Sequence, residues 1–314
     1  MTTSTPTGDQ YDLSLVHDER RVTGTVTQVA AGIRALAVDG IALTETFGAD
    51  ETPPSACGIT LVPWPNRVAD GRWTLDGREQ QLDLTEAAKG NASHGLLRYT
   101  AYQVVDREPH AVTLGATVFP QHGYPFQLDT TVRHELVADG MVVTHTITNV
   151  GRGRAPFAVG SHPFLRVGDH DPATLTVTLA AATRYEVDDR SIPVGTVPVE
   201  GAAFDLSGGP RVGDLDLDTG YRDVEPDADG IRTTRFAAPD GSATELWQDA
   251  SFEYVQVFTP RNFPRGGVEG LAVAAEPMTA PANALATGEG LRWLDEGEAW
   301  SGRWGIRRVP APAA

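Results

Sequence analysis

Leu128-Asp-Thr-Thr-Val-Arg-His-Glu-Leu-Val137, then Ala138-Asp139-Gly140, then Met141-Val-Val-Thr-His-Thr-Ile-Thr-Asn149 is the stretch whose reading decides the fold. Both arms alternate between apolar and polar residues, the period that sends successive side chains to opposite faces of a strand. An Asp-Gly step between two alternating arms is a strong short-range hairpin signal. The same alternation recurs over Val22–Val29, Thr100–Val105 and Ala173–Leu179, and further strands are expected at 32–38, 111–119, 243–247, 252–259 and 298–307. Thirty-three glycines and 22 prolines are scattered along the chain, as suits many short strands joined by turns. Helical patterning is confined to Thr85–Gly90, read as one turn capped by Thr85 and closed by Gly90. The reading is all-β. With no internal repeat and no dividing linker, one domain is expected over residues 21–308, between a partly flexible arm (1–20) and a flexible tail (309–314).

The 314-residue chain is 40% hydrophobic, enough to bury a core without a disulfide or metal staple. Its single cysteine, Cys57, excludes an internal disulfide and a cysteine-rich zinc site, and reads as small-residue packing near a turn. A formal net charge of −17 argues against nucleic acid and anionic membranes as partners, since both call for a basic surface. The opening Met1–Gly8 has neither the basic region nor the apolar core of a signal peptide. No apolar run approaches the roughly 18 residues of a membrane helix. A soluble cytoplasmic protein is expected.

Four segments carry polar residues that strand formation does not require. Pro63-Trp-Pro-Asn-Arg67 is a rigid platform bearing a guanidinium fork. Asn91-Ala-Ser-His94-Gly95 offers a histidine whose glycine neighbour allows a ligand to approach the backbone. Gly160-Ser-His162-Pro163 and Leu271-Ala-Val-Ala-Ala-Glu276-Pro277 share one design, an apolar strand ending in an ionisable residue pinned by proline. Taken singly, each also suits a structural role. Together, His162 and Glu276 supply the two positioned groups that general acid–base chemistry needs. His17, His110, His122, His134, His145 and His170 read as ordinary, and no pair has HxH or HExxH spacing. No nucleophile elbow, phosphate loop or dinucleotide fingerprint is present. Asp214-Leu-Asp-Leu-Asp218 lacks the glycine and terminal glutamate of an EF-hand loop, so no metal is expected.

In order and spacing these segments resemble the aldose 1-epimerase (galactose mutarotase) family, from about residue 20 to residue 307. The match comprises Pro63–Arg67 with Gly71-Arg-Trp73, Ser93-His94-Gly95, Gly160–Pro163, Ala275–Thr279, Gly288–Leu291 and Leu294–Glu298. The resemblance implies a large antiparallel twisted β-sandwich with a sugar cleft across one sheet. It implies interconversion of α and β anomers of an aldose without a cofactor. Glu276 then corresponds to the base at the anomeric hydroxyl and His162 to the acid at the ring oxygen. Arg67, His94 and Asp218 correspond to sugar-holding positions, with Asp216 or Asp214 as alternatives to Asp218. Two departures, Gly95-Leu-Leu-Arg98 and His162-Pro-Phe-Leu165, place the chain in a shorter bacterial branch and leave galactose itself open. Arg72, Arg98, Arg166, Arg261 and Arg265 are candidates for gripping a phosphate or sulfonate, which keeps an anionic sugar as an alternative. A glycosidase using Glu276 with Asp218, and a non-catalytic sugar-binding module, also stay open. The expected partner is a small sugar, bound by a monomer or weak homodimer.

Overall fold

The computed structural model describes residues 5–201 and 203–312. Three antiparallel sheets account for most of it. The first has eight strands in the order Gln103–Glu108, Ala111–Val118, Leu128–Val137, Gly140–Asn149, Ala299–Val309, Ala243–Gln248, Arg232–Ala237 and Thr176–Leu179. The second runs Pro193–Pro198, Ala181–Val187, Asp218–Val224, Tyr254–Phe258, Val273–Met278, Gly160–Ser161 and Thr60–Leu61, with Phe164–Leu165 also paired to Val273–Met278. A four-stranded sheet of Gln10–His17, Arg20–Thr27, Ile33–Val38 and Ile41–Ala42 packs beside them. No helix of the described residues is long and apolar enough to cross a membrane.

The alternation that decided the fold class also orients the hairpin. Leu128, Val132 and Leu136 on one arm, and Met141, Val143 and Ile147 on the other, are buried. They join one continuous core that also holds Val255, Val257, Val273 and Ala275 of the second sheet. At roughly 25 cal/mol per Å² of apolar surface, burial on this scale is the dominant stabilising term. His134 and His145, read as ordinary, fall on the inward face and are buried there. His145 accepts from Trp304 Nε1 at 3.0 Å.

Several sequence expectations shift. Residues 1–20 include the strand Gln10–His17, which pairs along its length with Arg20–Thr27 and buries Tyr11 and Leu13. The ordered domain therefore begins before residue 21. At the other end the last strand reaches Val309, and residues 1–4 and 313–314 of the expected arm and tail lie outside the described residues. Thr85–Gly90 forms turns rather than a helix, because the Thr85 side chain is taken by the backbone N–H of Ser93. Ala173–Leu179 starts as a 3₁₀ turn capped by Asp171, and only Thr176–Leu179 is strand. The one α-helix among the described residues, Ala284–Thr287, is too short for periodicity to reveal.

Glu276 does not end a strand, whereas His162 directly follows the end of one, Gly160–Ser161. Glu276 and Pro277 lie inside Val273–Met278, and His162-Pro163 interrupts a strand that resumes at Phe164. The neighbouring partners of Val273–Met278 are Gly160 opposite Met278 and Phe164 opposite Ala274. On that register Ser161 lies opposite Pro277, Pro163 opposite Ala275, and the interruption places His162 across from Glu276. The backbone of His162 is held from outside that strand, its N–H donating to Ile59 and its carbonyl accepting from Gly58.

Candidate active site

Cross-strand register builds the site on the second sheet. Glu276 pairs with Gln256, and Gln256 pairs with Gly220, so these residues share the face away from the core. Gly220 keeps this row open, since a Cβ there would lie 3.0 Å from Gln256 Oε1 and 3.2 Å from the Tyr185 ring. Asp218 begins the adjacent strand, and one carboxylate oxygen accepts from Gln256 Nε2 at 2.6 Å.

The loop segments converge on this face. Asn66 adopts φ +54°, a left-handed conformation that asparagine tolerates. Its side-chain oxygen accepts from the Arg67 N–H at 2.9 Å, and its carbonyl accepts from the His94 N–H at 2.9 Å. Arg67 pairs with Ser93 in a short antiparallel ladder, which brings the first two motifs side by side. His94 itself sits at φ +64° and Gly95 at φ +72°. A Cβ at Gly95 would stand 2.1 Å from the Val62 carbonyl oxygen. The close approach expected there from a ligand is therefore made by the chain's own backbone.

His162 Nε2 lies 3.3 Å from Glu276 Oε1, and both side chains are almost fully buried. The His94 ring meets the His162 ring edge to face at 5.5 Å, and Phe164 stacks on the other side of His162 at 5.3 Å. Arg67 Nη1 reaches Asp218 at 3.3 Å, while its Nε reaches Glu86 at 2.9 Å. Asp218 is thus the aspartate brought to the other candidates, whereas Asp214 and Asp216 are exposed. His162 Nδ1, His94 Nδ1 and Glu276 Oε2 are buried without a partner among the described residues. Buried polar atoms are ordinarily satisfied, so three unsatisfied ones in one place point to a polar ligand.

Burial sets the electrostatics. It lowers the His162 pKa to about 4 against the weaker pull of Asp218, and drives His94 well below the usual imidazole range with help from His162 and Arg98. Burial, then Asp218, raises Glu276 well above the usual carboxyl range, with Arg67 opposing. Burial also disfavours charge on Arg67, but Asp218 and Glu86 outweigh it and hold the guanidinium above its ordinary value. In the unliganded pair the neutral carboxylic acid and neutral imidazole are favoured. Moving that one proton across the 3.3 Å contact turns them into carboxylate and imidazolium. No group of His, Cys, Asp and Glu among the described residues forms a metal-binding cluster.

Three residues at the site were not singled out from sequence. Gln256 lies in an ordinary strand pattern, Glu86 in the segment read as a helical turn, and Asn66 was only part of a motif. Register and loop geometry, rather than spacing, bring them in.

The sheets and the cleft between their loops define a galactose mutarotase-like all-β protein. The structure superposes on an aldose epimerase homologue from C. elegans with TM-score 0.82 at 16% identity, covering 97% of this chain and 100% of that one. A galactose mutarotase-like protein from Clostridium acetobutylicum gives TM-score 0.80 at 16% identity, over 96% and 99%. In sequence the chain is 30% identical over 275 residues to the uncharacterized protein YihR of Escherichia coli, covering 87% of this chain and 86% of that one. It is 32% identical over 150 residues to the galactose mutarotase of Rattus norvegicus, covering 45% and 42%. The aldose 1-epimerase family model matches residues 15–307, and the chain belongs to that family.

Proposed function

We propose that this protein is a cytoplasmic mutarotase that interconverts the α and β anomers of a hexose or related aldose. The observation that carries the reading is the buried His162–Glu276 contact at 3.3 Å, flanked by His94 and Arg67. Opening a hemiacetal removes a proton from the anomeric hydroxyl and adds one to the ring oxygen. In the ion-pair form of the pair, the Glu276 carboxylate takes the first and the His162 imidazolium gives the second. The ring opens, the C1–C2 bond turns, and the aldehyde recloses on its other face with the two roles exchanged. The proton count of protein and sugar is unchanged over the cycle. Each proton-transfer partner contributes about 100- to 10,000-fold. Arg67, His94 and Asp218 hold the sugar, and orientation by such contacts is itself a large part of the acceleration.

One observation favours an anionic sugar as a second reading. Arg72, Arg166, Arg261 and Arg265 are engaged by Gln81, Gly168, Leu215 and Glu45 respectively. Arg98 makes only a 3.5 Å contact to the Ser93 carbonyl and lies over the Tyr99 ring, with its Nε buried and unpartnered. The test is anomer exchange by NMR over neutral, phosphorylated and sulfonated sugars, with wild type, Glu276→Gln and His162→Asn. Acceleration by wild type that both variants lose supports the reading. Sugar binding by all three with no acceleration sinks it in favour of a binding module, and release of sugar from an aryl glycoside sinks it in favour of a glycosidase.

A further inference from the structure

Arg67, its side chain 16% exposed, sits among the carboxylates of Asp218, Glu86 and Glu276, so its orientation has to be imposed. Glu86 grips one edge of the guanidinium, accepting from Nε at 2.9 Å and from Nη2 at 3.3 Å. That leaves Nη1 for Asp218 and the cleft. Glu86 is itself held: Asn91 Nδ2 donates to it at 3.1 Å. Asn91 is fully buried and is fixed from both sides of its amide by Arg190, whose Nη2 donates to Asn91 Oδ1 at 3.2 Å and whose carbonyl accepts from Nδ2 at 3.0 Å.

Arg190 lies in the turn between Ala181–Val187 and Pro193–Pro198, about 100 residues away in the chain. Every nitrogen of its guanidinium is engaged. Nε donates to the Lys89 carbonyl at 2.8 Å, Nη2 to the Gly90 carbonyl at 2.9 Å, and both Nη atoms to Asp70 at 2.9 and 3.4 Å. Beside it, Lys89 Nζ donates to Ser191 Oγ at 2.7 Å. Val187, Ser191 and Pro193 of the same hairpin line the cleft next to Asp218 and Gln256.

We propose that Arg190 is a positioning residue which, through Asn91 and Glu86, fixes the guanidinium of Arg67 at the edge of the sugar cleft. One hairpin then both walls the cleft and locks the arginine. The inference rests on the reading of Arg67 as a sugar-holding residue, and a lysine at 190 has no planar fork with which to repeat the joint.

The test is a double-mutant cycle. Arg190→Lys and Glu86→Gln should each raise KM about tenfold and leave kcat within about threefold, the split expected when uniform binding is weakened. In an Arg67→Ala background neither change should cost anything further, because the residue it acts through is gone. Costs that simply add would overturn the proposal in favour of a purely structural role. Solvent exchange of the Arg67 Nε–H, followed by ¹⁵N NMR on the unliganded protein, gives a ligand-independent arm. Exchange should be slow in wild type and at least about tenfold faster in Arg190→Lys, as a lost hydrogen bond would make it. Unchanged exchange overturns the proposal. If wild type turns over no sugar, the mutarotase reading fails, while the exchange result still decides whether the clamp exists. Thermal melting checks that Arg190→Lys is folded; if it is not, Asn91→Ser, which cuts the link between Arg190 and Glu86, carries both arms.

Discussion

His134 and His145 make a sharp prediction about acid stability. Both rings are buried on the inner face of the hairpin, and each Nδ1 is without a partner among the described residues. Burial depresses both pKa values to about 3. Unfolded, each would titrate at roughly 6.5. Between those values the unfolded chain binds a proton at each histidine that the folded chain does not, so stability falls as pH falls. Each such group removes about 1.4 kcal/mol per pH unit. From pH 6.5 to pH 5 the two together remove about 3 kcal/mol, a large share of the roughly 5–15 kcal/mol that holds a typical domain. His162 acts in the same direction, its value lowered to about 4 by burial. Glu276 opposes them: its folded pKa is raised, so its protonation stabilises the fold as pH falls toward the ordinary carboxyl range. The assay is urea unfolding followed by tryptophan fluorescence at intervals from pH 5 to pH 8. The variant is His134→Gln/His145→Gln, in which the second glutamine keeps an acceptor for Trp304 Nε1. Between pH 6 and pH 5 it should show a pH slope shallower by about 2.5 kcal/mol per unit, and above about pH 7.5 the same slope as wild type, with an unchanged m-value. Equal slopes in wild type and variant over the acid interval would refute the assignment of acid lability to these two rings.

The site and its frame give further expectations. Glu276→Gln and His162→Asn should each lower kcat by about 100- to 10,000-fold in NMR anomer exchange, while sugar affinity stays within a few-fold. Loss of rate should appear on the acid side as His162 and Glu276 both become protonated, and on the alkaline side as Glu276 gives up the pair's proton. Arg98→Gln should move the acid limb to higher pH, because the Arg98 charge helps hold His162 low. Gly95→Ala combines a left-handed backbone cost of about 1–2 kcal/mol with a clash against Val62, and should lower the melting temperature by several degrees. Arg265→Met strands the buried Glu45 carboxylate and should cost about 3 kcal/mol or more in a denaturant titration, whereas Glu45→Gln leaves a one-third exposed guanidinium that can hydrate and should cost less.

The all-β class was legible because alternation and turn chemistry are local properties, and Leu128–Asn149 carries both without interruption. Glu276 and His162 were legible as a pair because proline and apolar flanks mark them in the chain. Their setting was not: nothing local says that Glu276 lies inside a strand with the interruption at His162 across from it. Asp218 could not be separated from Asp214 and Asp216 by spacing, because its distinction is a bond to Gln256 on a neighbouring strand. Glu86 was hidden for a related reason. Thr85–Gly90 has the composition of a capped turn, and only the pairing of Ser93 with Thr85 and Arg67 shows what its carboxylate faces.

The strand Ala299–Val309 is the last to be made, yet it sits in the middle of the first sheet, between Gly140–Asn149 and Ala243–Gln248. A ribosome adding roughly 5–20 residues per second releases the four-stranded meander from Gln103 to Asn149 well before the chain that must continue it. Until the final strand emerges, that meander and the strands 176–248 have no shared edge, and each presents an open row of backbone donors and acceptors. Chains that lack Ala299–Val309 should therefore aggregate rather than fold as weakened proteins, because the strand is a keystone between two halves of the sheet.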